Sequence, residues 1–152
     1  MDKLNLKVPP AVVFLCCIGL MWLLNKLMPG ASLLNIHRWI INLLLAIGAL
    51  IAFAGVVQFQ MQSTTVNPHK PNNASSLVTT GIYSISRNPM YFGMLILLFA
   101  YLLKTGQPGG LLVILLYIVY MTRFQIKPEE QVMEHKFGEA YRTYRQRVRR
   151  WI

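Results

Sequence analysis

Two short polar clusters interrupt an otherwise apolar chain of 152 residues. The first reads Ser86-Arg87-Asn88-Pro89-Met90-Tyr91. The second reads Lys127-Pro128-Glu129-Glu130, with Glu134 one turn further on. Arg87 can grip a carboxylate through two parallel hydrogen bonds. Asn88 and Pro89 suit the N-cap and first turn of a helix, whose free N–H groups and dipole hold an anion. Tyr91 adds a ring and a hydroxyl beside them. In the second cluster two adjacent glutamates leave a helix in different directions, so one can face inward to pair with an ammonium or bind ribose hydroxyls. All four glutamates of the protein lie between positions 129 and 139, and Asp2 is the only other acid. Each cluster also has a plain reading: a helix start beside an arginine, and first-turn acids favoured by the helix dipole. On local spacing alone the plain readings lead.

The elements that must position these clusters are apolar. Only 13% of residues are charged, against about a quarter in a soluble domain. No charge occurs in 8–24, 39–57, 89–103 or 105–122, and such runs read as membrane-crossing helices. The expected fold is all-α: an integral membrane bundle of about four transmembrane helices plus a C-terminal amphipathic cytoplasmic helix. The spans are expected at about 9–28, 37–57, 88–104 and 109–124, a cytoplasmic loop at 58–87, and the last helix at 128–148. Together 1–152 forms a single domain. The first run is expected to be retained rather than cleaved as a signal peptide. Pro29-Gly30 closes it, and 67–73 reads as a turn-rich loop. Gln107-Pro108-Gly109-Gly110 makes a tight turn, so the third and fourth runs form an antiparallel hairpin. Both polar clusters then emerge at one membrane face, close in space. Pro128 is expected to open a new helix. There Val132, Met133, Phe137, Tyr141, Tyr144 and Val148 form an apolar stripe that lies on the membrane surface or over the bundle ends. Gly138 interrupts that helix.

The net charge of +10 suggests a polyanion, but its placement points to anionic lipid and not to nucleic acid. Eight of the fifteen basic residues lie between 123 and 150. With both termini inside, twelve basic residues face the cytoplasm and three face out, a clear positive-inside bias. The expectation is a multi-pass protein of the cytoplasmic (inner) membrane with both termini cytoplasmic. The arginines of 142–150 read as a solvated, lipid-facing run with no part in chemistry. His37, His69 and His135 show no metal-ligand spacing, and no metal is expected. Cys16 and Cys17 read as small hydrophobes. Asn25 and Asn42 are expected to bond between helices, and Trp22, Trp39 and Trp151 to mark membrane–water boundaries.

Thr80-Gly81-Ile82-Tyr83-Ser84-Ile85-Ser86-Arg87-Asn88-Pro89-Met90-Tyr91-Phe92-Gly93 resembles the stretch G-x-Y-x-x-x-R-[HN]-P-x-Y-x-G of the isoprenylcysteine carboxyl methyltransferase and phospholipid methyltransferase superfamily. Glu129-Glu130, then Phe137-Gly138-Glu139-Ala140-Tyr141-Arg142-Thr143-Tyr144, resembles that superfamily's C-terminal motif. The resemblance covers roughly 67–151 and leaves the first two runs without a motif. It implies methyl transfer from S-adenosylmethionine (SAM) at the cytoplasmic face to a lipophilic small molecule or lipid drawn from the bilayer. The acceptor group is then an isoprenylcysteine-like carboxylate or a phospholipid amine. It implies that Arg87, Asn88, Pro89, Tyr91, Glu129 and Glu130 form the SAM pocket, and that Glu130 and Arg123 act in catalysis, with Arg123 near an acceptor carboxylate. Asn88 stands where the eukaryotic prenylcysteine enzymes carry histidine, so this position cannot titrate near neutral pH. Two other classes stay open on the residues. One is a small four-helix transporter, disfavoured because no acid lies within any span. The other is a non-catalytic membrane protein whose basic tail binds anionic lipid.

Overall fold

The computed structural model describes residues 5–28, 37–61 and 76–152. The Pro29-Gly30 turn, the 67–73 loop and His69 lie outside the described residues. The helices are α1 (Pro10–Leu27), α2 (Arg38–Met61), α3 (Pro89–Thr105), α4 (Gly109–Tyr120) and α5 (Lys127–Arg147). A 3-10 turn spans Gly81–Ser84, and a stretch of π-helix spans Met121–Ile126. No strand occurs among the described residues.

Three helical segments are long and apolar enough to cross a membrane: α1, α2 and the rod that begins at Gly109. α3 is apolar but has 17 residues. At about 1.5 Å per residue it rises about 26 Å, a little less than a hydrocarbon core of about 30 Å. The outer surfaces of α1, α2 and α4 show large side chains such as Leu15, Leu50, Phe53, Leu112 and Val119. A continuous apolar exterior of this kind needs lipid, not water, against it.

Packing fixes the ends. α2 and α3 share the tightest contact, where a stripe of Gly48, Ala52 and Gly55 meets Gly93. A Cβ on Gly93 would lie 2.6 Å from the Gly48 carbonyl oxygen, so the two backbones touch. At the other end of that contact Gly55 meets Met90 and Pro89. Hence α2 delivers the start of α3, and with it the first polar cluster. α1 packs on α4, and Gln107 donates toward the carbonyls of Leu24 and Met28 at the end of α1. The core between α1, α3 and α4 centres on Met21, Leu98, Val113, Tyr117 and Met121.

The expectation that Pro128 opens a new helix is corrected. α4, the π stretch and α5 run on without a break. A proline inside an α-helix removes one hydrogen bond and crowds the carbonyl four residues back. Here the π turns widen the rod, with the Lys127 N–H reaching Thr122 O five residues back. The Phe124 carbonyl, which Pro128 cannot serve, accepts from the Leu6 N–H at 3.0 Å. The rod bends later, at Gly138, which takes φ 52° and ψ −122°. The apolar stripe of α5 packs under the segment before α3. Tyr141, Tyr144 and Val148 are buried with Leu77, Met133 and Phe137. Asn25 and Asn42, expected between helices, are exposed. Trp22 and Trp39 are exposed as boundary residues would be, whereas Trp151 is half-buried against the core.

Candidate active site

The two polar clusters meet. The 3-10 turn places the first one: Gly81 takes φ 58°, and Gln58 at the end of α2 grips both sides of the turn. Its Nε2 donates to Thr80 O at 2.7 Å, and its Oε1 accepts from the Ile82 N–H at 3.1 Å. Tyr144 of α5 donates to Tyr83 O at 2.7 Å, which binds the turn to α5. Arg87 then lies beside Glu130, with Nη2 3.0 Å from Oε1.

A cavity of about 80 Å³ opens at this junction. Its charged and amide lining is Arg87, Asn88, Glu129 and Glu130. Its rings are Tyr83, Tyr141 and Tyr144, and Leu77, Val78 and Met133 close the apolar side. Pro89 and Tyr91 stand behind this wall. Both are buried, Pro89 against Gly55 of α2, while the Tyr91 hydroxyl donates to Glu129 Oε1 at 2.7 Å. Asn88 occupies the N-cap position of α3 but does not cap with its side chain. Its Nδ2 donates instead to Arg150 O at 2.8 Å, and Ser86 Oγ accepts from its N–H.

The adjacent glutamates have different company. Glu130 receives Arg87 on one side and Arg150 on the other, the latter at 3.0 Å to Oε1 and 2.7 Å to Oε2. Glu129 receives only neutral donors, Tyr91 and the Gln125 amide, both on Oε1. It lies on α5, past the apolar part of the rod. Burial pushes its carboxyl up to about 7, against the lowering effect of those two bonds.

Four partners escaped sequence reading. Gln125 sits in the π stretch, where no motif marks it. Val78 and Leu77 belong to a segment with no periodic signal. Arg150 is one of a run of arginines assigned to solvent, yet it forms the site's bidentate ion pair. Arg123 and Glu134 do not reach the cavity. Arg123 is exposed with its guanidinium 5.6 Å from the Phe124 ring centre, and Glu134 pairs with Arg142 and Arg145 on the surface.

A second cavity, of about 380 Å³, opens between α1 and α4. Cys16, Cys17, Leu20, Val113, Leu116 and Tyr117 line it, with Phe124 among its walls. Tyr117, in its wall, donates its hydroxyl to the Tyr91 carbonyl at 3.2 Å.

With this geometry in view, comparison with known proteins is decisive at one point. The phospholipid methyltransferase family matches residues 36–140, more than half of the chain. The chain belongs to that family. It is a methyltransferase of the membrane-associated type, and its apolar helices agree with that class. The family match runs from the start of α2 into α5 and contains both polar clusters. Residues 148–152, which follow α5 and carry Arg150, lie beyond it. A protein of Haemophilus influenzae, described only as uncharacterized, is 41% identical over 63 residues, which is its whole length and 41% of this chain. No solved structure matches the chain.

Proposed function

We propose that this phospholipid methyltransferase family member transfers a methyl group from SAM to the amine of a membrane phospholipid, working at the cytoplasmic face of the inner membrane with both termini inside. The observation that carries the reading is the convergence of Arg87, Asn88, Glu129 and Glu130 on one cavity at the ends of α3 and α5. These residues fit a zwitterionic amino acid end. Arg87 is buried, and its Nε and Nη1 lack a well-formed hydrogen bond beside the Tyr141 hydroxyl, so an anion is favoured there. Glu130 suits an ammonium, and the tyrosine rings suit an adenine face.

When bound, SAM supplies a methyl group on a sulfonium that is already activated. The chain's residues do the rest. Arg87, Asn88 and Glu130 bind and orient the donor, which counts for several kcal/mol of the barrier. Glu129 takes the proton that an ammonium must lose before its nitrogen can attack. Its direct partners are neutral, so its carboxylate is left to accept a proton, which an amine acceptor needs and a carboxylate acceptor does not. The apolar cavity between α1 and α4 suits an acyl chain, and Arg123 at Phe124 suits a lipid phosphate.

The test incubates the purified protein with methyl-labelled SAM and vesicles of phosphatidylethanolamine and phosphatidylglycerol. Label is expected in the amine-bearing lipid. Calorimetry should show SAM binding that Glu130→Ala abolishes. An intact protein that neither binds SAM nor labels lipid would end the reading.

A further inference from the structure

The two halves of the proposed donor site are unevenly filled. Arg87 has a side-chain exposure of 8% and spends only Nη2 on Glu130. Its Nε and Nη1 are buried without a well-formed hydrogen bond, with the Tyr141 hydroxyl alongside the guanidinium. Poorly met buried donors on a charged group are costly, so the anion half stands open. The cation half is taken. Arg150 covers both oxygens of Glu130, at 3.0 and 2.7 Å. It is carried there by residues 148–152, which fold back along the cavity after α5. The Arg87 N–H donates to Arg149 O at 3.1 Å, and Asn88 Nδ2 donates to Arg150 O. The Arg150 side chain keeps 31% of its surface exposed, so it covers Glu130 from the solvent side.

The cavity beside this pair is about 80 Å³. Pockets for ligands of SAM's size run to several hundred cubic ångströms. A donor of that size therefore extends beyond this cavity or displaces part of its lining.

We propose that Arg150 is a specificity-determining residue for the donor. Its guanidinium holds the cation half of the site until a ligand bearing both an ammonium and a carboxylate takes Glu130 and Arg87 together. The inference rests on the donor reading above. Its physical basis is an exchange. At Glu130 an incoming ammonium replaces a guanidinium, which returns to water at little net cost because the pair is partly exposed. At Arg87 the ligand carboxylate meets two poorly met donors, and a charge-assisted, forked contact forms. A ligand with the same nucleoside but no amino acid end gains nothing at Arg87 and leaves the Arg150–Glu130 pair shut.

Calorimetry on the purified protein with S-adenosylhomocysteine and with 5′-methylthioadenosine separates these cases. Arg150→Ala is expected to tighten S-adenosylhomocysteine about fivefold, the scale of one partly exposed ion pair. It should leave methylthioadenosine within about twofold, and Arg150→Lys should fall between wild type and alanine. Weaker S-adenosylhomocysteine binding, no change in it, or an equal change for both ligands would overturn the proposal and make Arg150 structural. Wild-type protein that binds neither ligand would sink the donor reading itself. A second measurement leaves Arg150 in place. Trp22→Phe with Trp39→Phe leaves Trp151 as the one tryptophan of three. Its emission should shift with S-adenosylhomocysteine and stay fixed with methylthioadenosine. An emission that ignores both, or follows both alike, rejects the exchange.

Discussion

Glu129 and Glu130 are neighbours in sequence and strangers in environment. One residue advances a helix by about 100°, so they face different elements. Glu129 turns to α3 and the π stretch, where its donors are a phenol and an amide. Glu130 turns to Arg87 and Arg150. Identical side chains thus sit on the neutral and cationic sides of one cavity. Neutral company with burial lifts a carboxyl toward neutrality, which suits proton transfer. Cationic company pairs the other with two guanidinium groups, which suits binding. Partners, not residue type, divide the work.

The largest break in this comparison is Glu129→Gln. It should lower kcat for an amine-bearing phospholipid by about 10²–10⁴-fold, the usual range for a lost general base, while SAM affinity holds. The wild-type rate should rise with pH through about 7 and then level, and the variant should lose that limb. Stability should move the opposite way. A carboxyl raised in the fold favours the folded state only while protonated. That contribution is present below about 4.5 and is lost as pH rises through about 7. Other charges facing this carboxyl are Glu130 and, across the cavity, Arg87. Above pH 7 the variant should therefore unfold at a higher temperature than wild type. A kcat unchanged by Glu129→Gln would remove Glu129 from the chemistry.

Glu130→Gln probes the other side. It leaves two guanidinium groups without their carboxylate, one of them buried. Breaking a buried pair from one end costs about 3–5 kcal/mol, and the half-exposed Arg150 brings the expectation to the lower end. Thermal unfolding reads that loss, and calorimetry should show SAM binding weakened about a hundredfold, or 2.7 kcal/mol. If Glu130→Gln binds SAM as wild type does, the cationic side is merely structural.

Much of this arrangement was legible beforehand. Apolar runs marked α1 to α4, and the tight turn at Gln107-Pro108 brought both clusters to one end. What sequence hid depends on distant partners. Local rules stop a helix at Pro128, yet the rod continues because the Phe124 carbonyl finds Leu6 from the other end of the chain. Asn88 has the type and place of a cap, but the returning strap claims its side chain. Arg150 looks like any arginine in its run until the chain reverses after α5 and sets it against Glu130. Arg123 carried the reverse error, a plausible position whose side chain faces out.

Tyr91→Phe has the smallest expected effect and tests the comparison most finely. The ring is buried in the core and its carbonyl still receives Tyr117, so phenylalanine preserves the packing. Only the hydroxyl's bond to Glu129 is lost. That bond lowers the carboxyl's affinity for a proton, so its loss raises it further. A hydrogen bond to a charged group is worth about 1.5–3 kcal/mol, or roughly one to two pH units. The rising limb of the rate profile should therefore move to higher pH by about that much. At pH 7 the variant should run several-fold slower, because less of Glu129 is ionised. At high pH the rates should converge, since a more basic carboxylate accepts a proton no less readily. A fall equal at every pH would mean that Tyr91 acts through geometry alone, and the neutral side would then lose its claim to tune Glu129.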